Sequence, residues 1–138
     1  MFLLDTNAIS ELRRPARANP GLLAWAMSTA PIDMFISAIT LLEIELGAAL
    51  VGRRDAAQGT ALRTWIDSQV ILAFRDRILP VDADVAQRYA TLHVPDPRPQ
   101  SDSLIAATAL VHRLTVVTRN VRDFEPMGVP LLNPWSSS

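Results

Sequence analysis

The chain has no cysteine and no lysine among its 138 residues. The first absence excludes disulfides and thiolate zinc sites. The second excludes Schiff-base chemistry and the lysine of a phosphate-binding P-loop. All 13 basic residues are therefore arginine. A GC-rich genome accounts for that bias, yet arginine also suits bidentate phosphate contact. A surplus of one charge sign is missing too. The formal net charge is −1, so the whole chain offers no strong attraction to nucleic acid. No apolar run approaches the length that spans a membrane. No basic leader followed by a hydrophobic segment is visible. These readings lead to the expectation of a cytoplasmic protein.

What is present is apolar material in a regular order. Hydrophobic residues make up 49% of the sequence, enough to exclude a disordered chain. The length leads to the expectation of a single domain over residues 1–138, with a sizeable core. Strand-like and helix-like pieces alternate. Strands are expected at 2–4, 34–37, 78–81, 114–118 and 129–132. Helices are expected at 8–12, capped by Asn7, and at 21–28, 40–51, 56–72, 83–92 and 101–112. In the 40–51 helix, Leu42, Leu46, Ala49 and Leu50 share one face. Pro95, Pro97 and Pro99 mark a loop. The alternation predicts an α/β fold, a mostly parallel sheet with helices on both faces.

Four acids stand out in this frame. Asp5 ends the apolar run Phe2-Leu3-Leu4, and in open α/β sheets ligands bind just outside the carboxyl ends of the strands. Glu43, Asp102 and Asp123 each follow a predicted strand or begin a helix. Every one has an ordinary explanation. Glu43 lies three residues after Thr40, as in a capping box. Asp102 suits a helix start. Asp123 pairs with Asn120 as a cap, and Asp5 belongs to a strand-to-helix turn. Their joint placement favours a different explanation. Carboxylates gathered at one rim repel one another unless a cation lies between them, which points to a magnesium enzyme.

The motifs also resemble a known family. Leu3-Leu4-Asp5-Thr6-Asn7 is similar to the opening of PIN-domain ribonucleases. Ser37 to Gly47, around Glu43, resembles their second motif. Asp102 to Ala109 resembles the third, and Val117 to Phe124 the fourth. The resemblance is nearest to VapC toxins of toxin–antitoxin pairs, including FitB-like members, whose tails Leu132-Asn133-Pro134-Trp135 also resembles. It implies an α/β/α sandwich and a metal-dependent endoribonuclease using Mg²⁺ or Mn²⁺. It implies Asp5, Glu43 and Asp102 as the acidic centre, completed by Asn120 or Asp123. It further implies a homodimer, a VapB-like antitoxin that blocks the site, and contact with operator DNA through that antitoxin alone.

The chemistry of the residues agrees. Magnesium prefers oxygen ligands and retains several waters, so Asp5 and Asp102 suffice as direct ligands. Glu43 and Asp123 are then expected to hold waters of the ion or a second ion. Thr6 and Thr118 can orient carboxylates, and Asn7 and Asn120 can support them. Arg13, Arg14 and Arg17, with Arg119 and Arg122, can touch RNA phosphates, although such residues more often form a solvated surface. His93 and His112 lack partners at ligand spacing and are read as structural. Trp25 and Trp65 lie on apolar faces, and Trp135 can pack on a second subunit. A phospho-accepting receiver domain and a dehalogenase-type phosphatase both need a lysine. The second also needs an aspartate where Asn7 stands, and no Gly-x-Gly-x-x-Gly run marks a dinucleotide site. The remaining rival is an inactive PIN fold that binds protein or nucleic acid, favoured by the neutral Asn120.

Overall fold

A computed structural model describes residues 1–136. Ser137 and Ser138, the last two positions of the expected domain, lie outside the described residues. Strands β1 (Phe2–Leu4), β2 (Met34–Ser37), β3 (Ile78–Leu79), β4 (Thr115–Val117) and β5 (Leu131–Leu132) form one sheet in the order β3-β2-β1-β4-β5. Every pairing is parallel, including Leu3 with Val116 and Leu3 with Phe35. The helices are α1 (Thr6–Leu12), α2 (Pro20–Ser28), α3 (Ala38–Arg54), α4 (Ala56–Trp65), α5 (Ile71–Ala73), α6 (Ala83–Leu92), α7 (Gln100–His112) and α8 (Val121–Phe124). None is long and apolar enough to cross a membrane among the described residues.

The two-residue period of a strand divides the core. Leu4, Ile36 and Val117 point to one face and pack with Ala8, Ile9, Leu22, Ile44, Ile66 and Phe74. Leu3 and Val116 point to the other and pack with Ile105, Ala106, Ala109, Phe124 and Met127. The alanines of α7 let that helix lie close to the sheet. Such a two-faced sheet with helices on both sides is the architecture expected from the sequence.

The chain leaves β1 toward β2 on one side and later reaches β4 on the other. The carboxyl ends of β1 and β4 thus border the crevice where strand order reverses, the usual ligand position in open α/β sheets. Asp5 follows β1 there, and its N–H donates to the Val117 carbonyl at 2.9 Å.

Several local expectations change. The cap of α1 is Asp5, whose side chain accepts from the Thr6 N–H, instead of Asn7. Helix α3 begins at Ala38 under a Ser37 cap, so Thr40 and Glu43 lie inside the helix and form no capping box. Its core-facing residues are Thr40, Ile44 and Ala48. The leucine face points outward, with Leu42, Leu46 and Leu50 more than half exposed at 56%, 54% and 54%. The 56–72 helix is interrupted by a π turn at Ile66–Val70, which keeps Ile66 and Val70 buried against the sheet. Gly52 and Gly59 let α3 and α4 cross closely. A Cβ on Gly59 would lie 2.4 Å from the Gly52 Cα.

Candidate active site

Asp5 is 5% exposed and held on several sides. Its Oδ1 accepts from the Thr6 N–H at 2.8 Å. Its Oδ2 accepts from Thr118 Oγ1 at 2.8 Å and from Asn7 Nδ2 at 3.3 Å. Thr118 follows β4 and is itself buried. Its hydroxyl oxygen accepts the Asn120 N–H at 3.0 Å. Asn7 Oδ1 accepts the Arg119 N–H at 3.5 Å, so the turns after β1 and β4 are tied together. Thr6 Oγ1 donates to Glu43 Oε1 at 2.6 Å and lies 3.3 Å from Thr40 Oγ1. One small network therefore fixes Asp5 and Glu43 from β1, α1, α3 and β4.

Asp102 lies in the first turn of α7 and is half-buried. Among the described residues its carboxylate has no hydrogen bond or ion pair. Burial pushes its pKa up to about 6, and the charges of Asp5, Asp123 and Glu43 push the same way. Burial raises Asp5 as well; the donors Thr118 and Thr6 oppose that rise, while Glu43 and Asp123 reinforce it. Asp5 and Asp102 thus both lie within reach of the charges of Glu43 and Asp123. Asp123 lies on the exposed face of α8. Its N–H bonds the Asn120 carbonyl at 3.1 Å, and the Asn120 side chain forms no cap.

Among the described residues no three acidic or histidine side chains enclose a ready-made ion cage. That is compatible with magnesium, which keeps most of its waters and takes one or two carboxylates. The donor set is all oxygen, and Asp102 is a carboxylate without a counter-charge beside three others. The residues present fit a hard divalent cation.

Two grooves flank the acids. One, of about 260 Å³, is lined by Thr6, Glu43, Arg13, Leu62 and Trp65 among others. The other, of about 450 Å³, is lined by Arg119, Asn120, Arg122, Asp123 and Asn133 among others. Arg13 and Arg119 therefore border different grooves beside the acids. Arg14 and Arg17 are exposed beyond α1. Arg119 also faces Glu11 at 3.9 Å and the Trp135 ring at 5.9 Å.

Glu11 has a role that sequence reasoning missed. It accepts the Asn19 N–H at 2.7 Å and the Trp135 indole N–H at 3.1 Å. Trp135 consequently packs against its own chain, near α2, through the core and through this indole bond. No local pattern in the sequence joins residues so far apart. Trp25 stacks edge-on against Phe2. His93 is structural, as expected. Its Nδ1 accepts the Arg98 N–H at 3.2 Å and its Nε2 lies 3.2 Å from Ser103 Oγ, tying the proline loop to α7.

Comparison with known proteins adds an independent line. The PIN domain family model matches residues 2–128. The chain is 38% identical to Toxin FitB of Neisseria gonorrhoeae, covering 98% of this chain and 99% of that protein. It is 34% identical to VapC ribonuclease Y4jK of Sinorhizobium fredii, covering 98% of both. A solved structure of FitAB bound to a DNA fragment superposes with a TM-score of 0.87 at 36% identity, covering 100% of this chain and 98% of that one.

Proposed function

The chain belongs to the PIN-domain family, and on that premise we propose that it is a toxin endoribonuclease. It hydrolyses RNA phosphodiester bonds at the acidic rim, aided by a divalent cation. The observation that carries this reading is the unpartnered Asp102 beside the fully braced Asp5, at the crevice where strand order reverses.

Asp5 and Asp102 are the direct ligands in this reading, and Mg²⁺ is the resident ion, with Mn²⁺ as a substitute. A bound cation of this kind makes water a better nucleophile and offsets charge on the phosphate and the leaving oxygen. The chain's own residues supply order. Thr118 and the Thr6 N–H aim the Asp5 carboxylate, and Thr6 Oγ1 holds Glu43. Glu43 and Asp123 orient waters at the rim. Asp123 raises the pKa of both Asp5 and Asp102, which supports it over the neutral Asn120 as the fourth acid. It also weakens the binding-only alternative, because a neutral Asn120 leaves the acidic centre intact. Arg13, Arg14, Arg119 and Arg122 contact phosphates on either side.

The chain acts as one PIN domain in the cytoplasm. Its partners are an RNA substrate, a second copy of itself and a VapB-like antitoxin that carries the pair to operator DNA. The outward leucines of α3 supply apolar surface for protein partners, larger than scattered surface residues need.

Purified protein should cleave a mixed RNA pool with Mg²⁺ or Mn²⁺, and EDTA or Asp5→Asn should abolish that cleavage. Cleavage that survives both would sink the metal mechanism. No cleavage with either metal, with antitoxin verified absent, would favour the binding-only alternative.

A further inference from the structure

We propose that the groove beside Glu43 holds one unstacked base of the RNA substrate on the Trp65 ring, with Arg13 taking the adjoining phosphate. This rests on the nuclease reading of the acidic rim and extends it to substrate placement.

The groove opens directly onto the site, because Thr6 and Glu43 form one of its walls. A nucleotide next to the scissile phosphate is covalently tethered to it. It must occupy ground immediately beside the acids, and two grooves lie there, one lined by Glu43 and one by Asp123. They differ in chemistry. The groove beside Asp123 is lined by arginine, asparagine and aspartate, with Val121 as its one apolar member. It suits sugar and phosphate. The groove beside Glu43 carries Ile44, Val51, Leu62 and Trp65, and it alone has an aromatic face. Unpaired bases are held in this way, stacked on aromatic rings or on arginine.

Arg13 completes the match. Its guanidinium carbon lies 6.0 Å from the Trp65 ring centroid, the outer limit of a cation–π contact. Among the described residues it has no carboxylate partner. An arginine held only loosely over an indole can turn to a phosphate at little cost and leave the ring to a base. Arg13 and Trp65 also line a separate apolar pocket of about 360 Å³ with Leu4, Ile9, Leu12 and Phe74 among others. The positive charge and the single aromatic face favour a nucleotide over an apolar protein segment.

The test is binding of a fluorescently labelled, mixed-sequence, single-stranded RNA of ten nucleotides, compared with an abasic oligomer of equal length. Anisotropy is read on the intact protein and on Trp65→Leu and Trp65→Phe, after thermal unfolding shows that each is folded. Wild type should prefer RNA over the abasic oligomer about ten-fold, the scale of one stacked base. Trp65→Leu should lose that preference while binding the abasic oligomer as before, and Trp65→Phe should retain most of it. Arg13→Gln should weaken both oligomers equally. An unchanged preference in Trp65→Leu would overturn the proposal. So would a Trp65→Leu protein that binds and cleaves RNA normally but no longer binds antitoxin, which would make the groove a protein site. Failure of the nuclease reading shows differently, as absent metal-dependent cleavage by wild type whatever the binding preference.

Discussion

The two halves of the acidic rim are built on opposite principles. On the β1 side, Asp5 accepts three donors and Glu43 accepts one, all from neighbouring turns and helices. On the α7 and α8 side, Asp102 has no donor, and Asp123 is exposed to solvent. One half is braced by the fold. The other is held against repulsion, with Asp102 pushed up to about 6 by burial and three like charges. The contrast teaches where a cation would act. The braced half gives it a fixed address, and the unbraced half gives it free energy, because a cation relieves a repulsion that the fold alone leaves standing.

Removing the charge on the unbraced side should have the largest effect. Asp102→Asn should reduce RNA cleavage by about 10²–10³-fold, the scale seen when one electrostatic group is lost. It should also raise the melting temperature of the metal-free protein at neutral pH. A fall in melting temperature would break the comparison, since it would mean that Asp102 is stabilised where it stands.

The pH dependence follows with a definite sign. Asp102 has a folded pKa above its unfolded one, so the fold favours its neutral form. That stability is fully present below the unfolded value and is lost as pH rises through about 6. A cation needs the ionised form. Magnesium should therefore raise the melting temperature at pH 7.5 and lose that effect as pH falls below about 6. Calorimetry at fixed magnesium across this range checks it, and a shift independent of pH would count against Asp102 as a ligand.

The braced side should respond through hydrogen bonding. Thr118→Val removes one donor from a buried carboxylate and should cost about 1–3 kcal/mol, with a fall in kcat. Thr118→Ser should restore both, whereas loss of stability without loss of kcat would show that the brace has no catalytic consequence.

The smallest effect sharpens the assignment of the fourth acid. Asp123→Asn removes one of the charges that raise Asp102. It should move the pH midpoint of the magnesium effect slightly downward, and Asn120→Asp should move it slightly upward. No movement with Asp123→Asn would return the fourth position to Asn120.

Much of this was legible in the chain itself. Short apolar runs alternating with helical periods led to the parallel sheet, because a strand buried on both faces needs nearly every residue apolar. Asp5, Asp102 and Glu43 stood out by following a strand or beginning a helix, and four motifs in order pointed to the family. Other features were out of reach, because local pattern is blind to what a helix faces. The leucines of α3 share a face, yet the buried positions of that helix are Thr40, Ile44 and Ala48. The apparent Thr40–Glu43 cap failed because Ser37 starts the helix earlier. Trp135 found Glu11 across most of the chain.

The sequence by itself determined the element types, the acids and the absence of lysine and thiol chemistry, since these depend on residue identity and short-range periodicity. Only the tertiary structure decided that Thr118 braces Asp5, that Asp102 is left without a partner, and that Trp65 and Arg13 border the same acids. The physical reason is that parallel strands are joined by long crossovers. Residues 113 positions apart, such as Asp5 and Thr118, become neighbours only when the sheet closes.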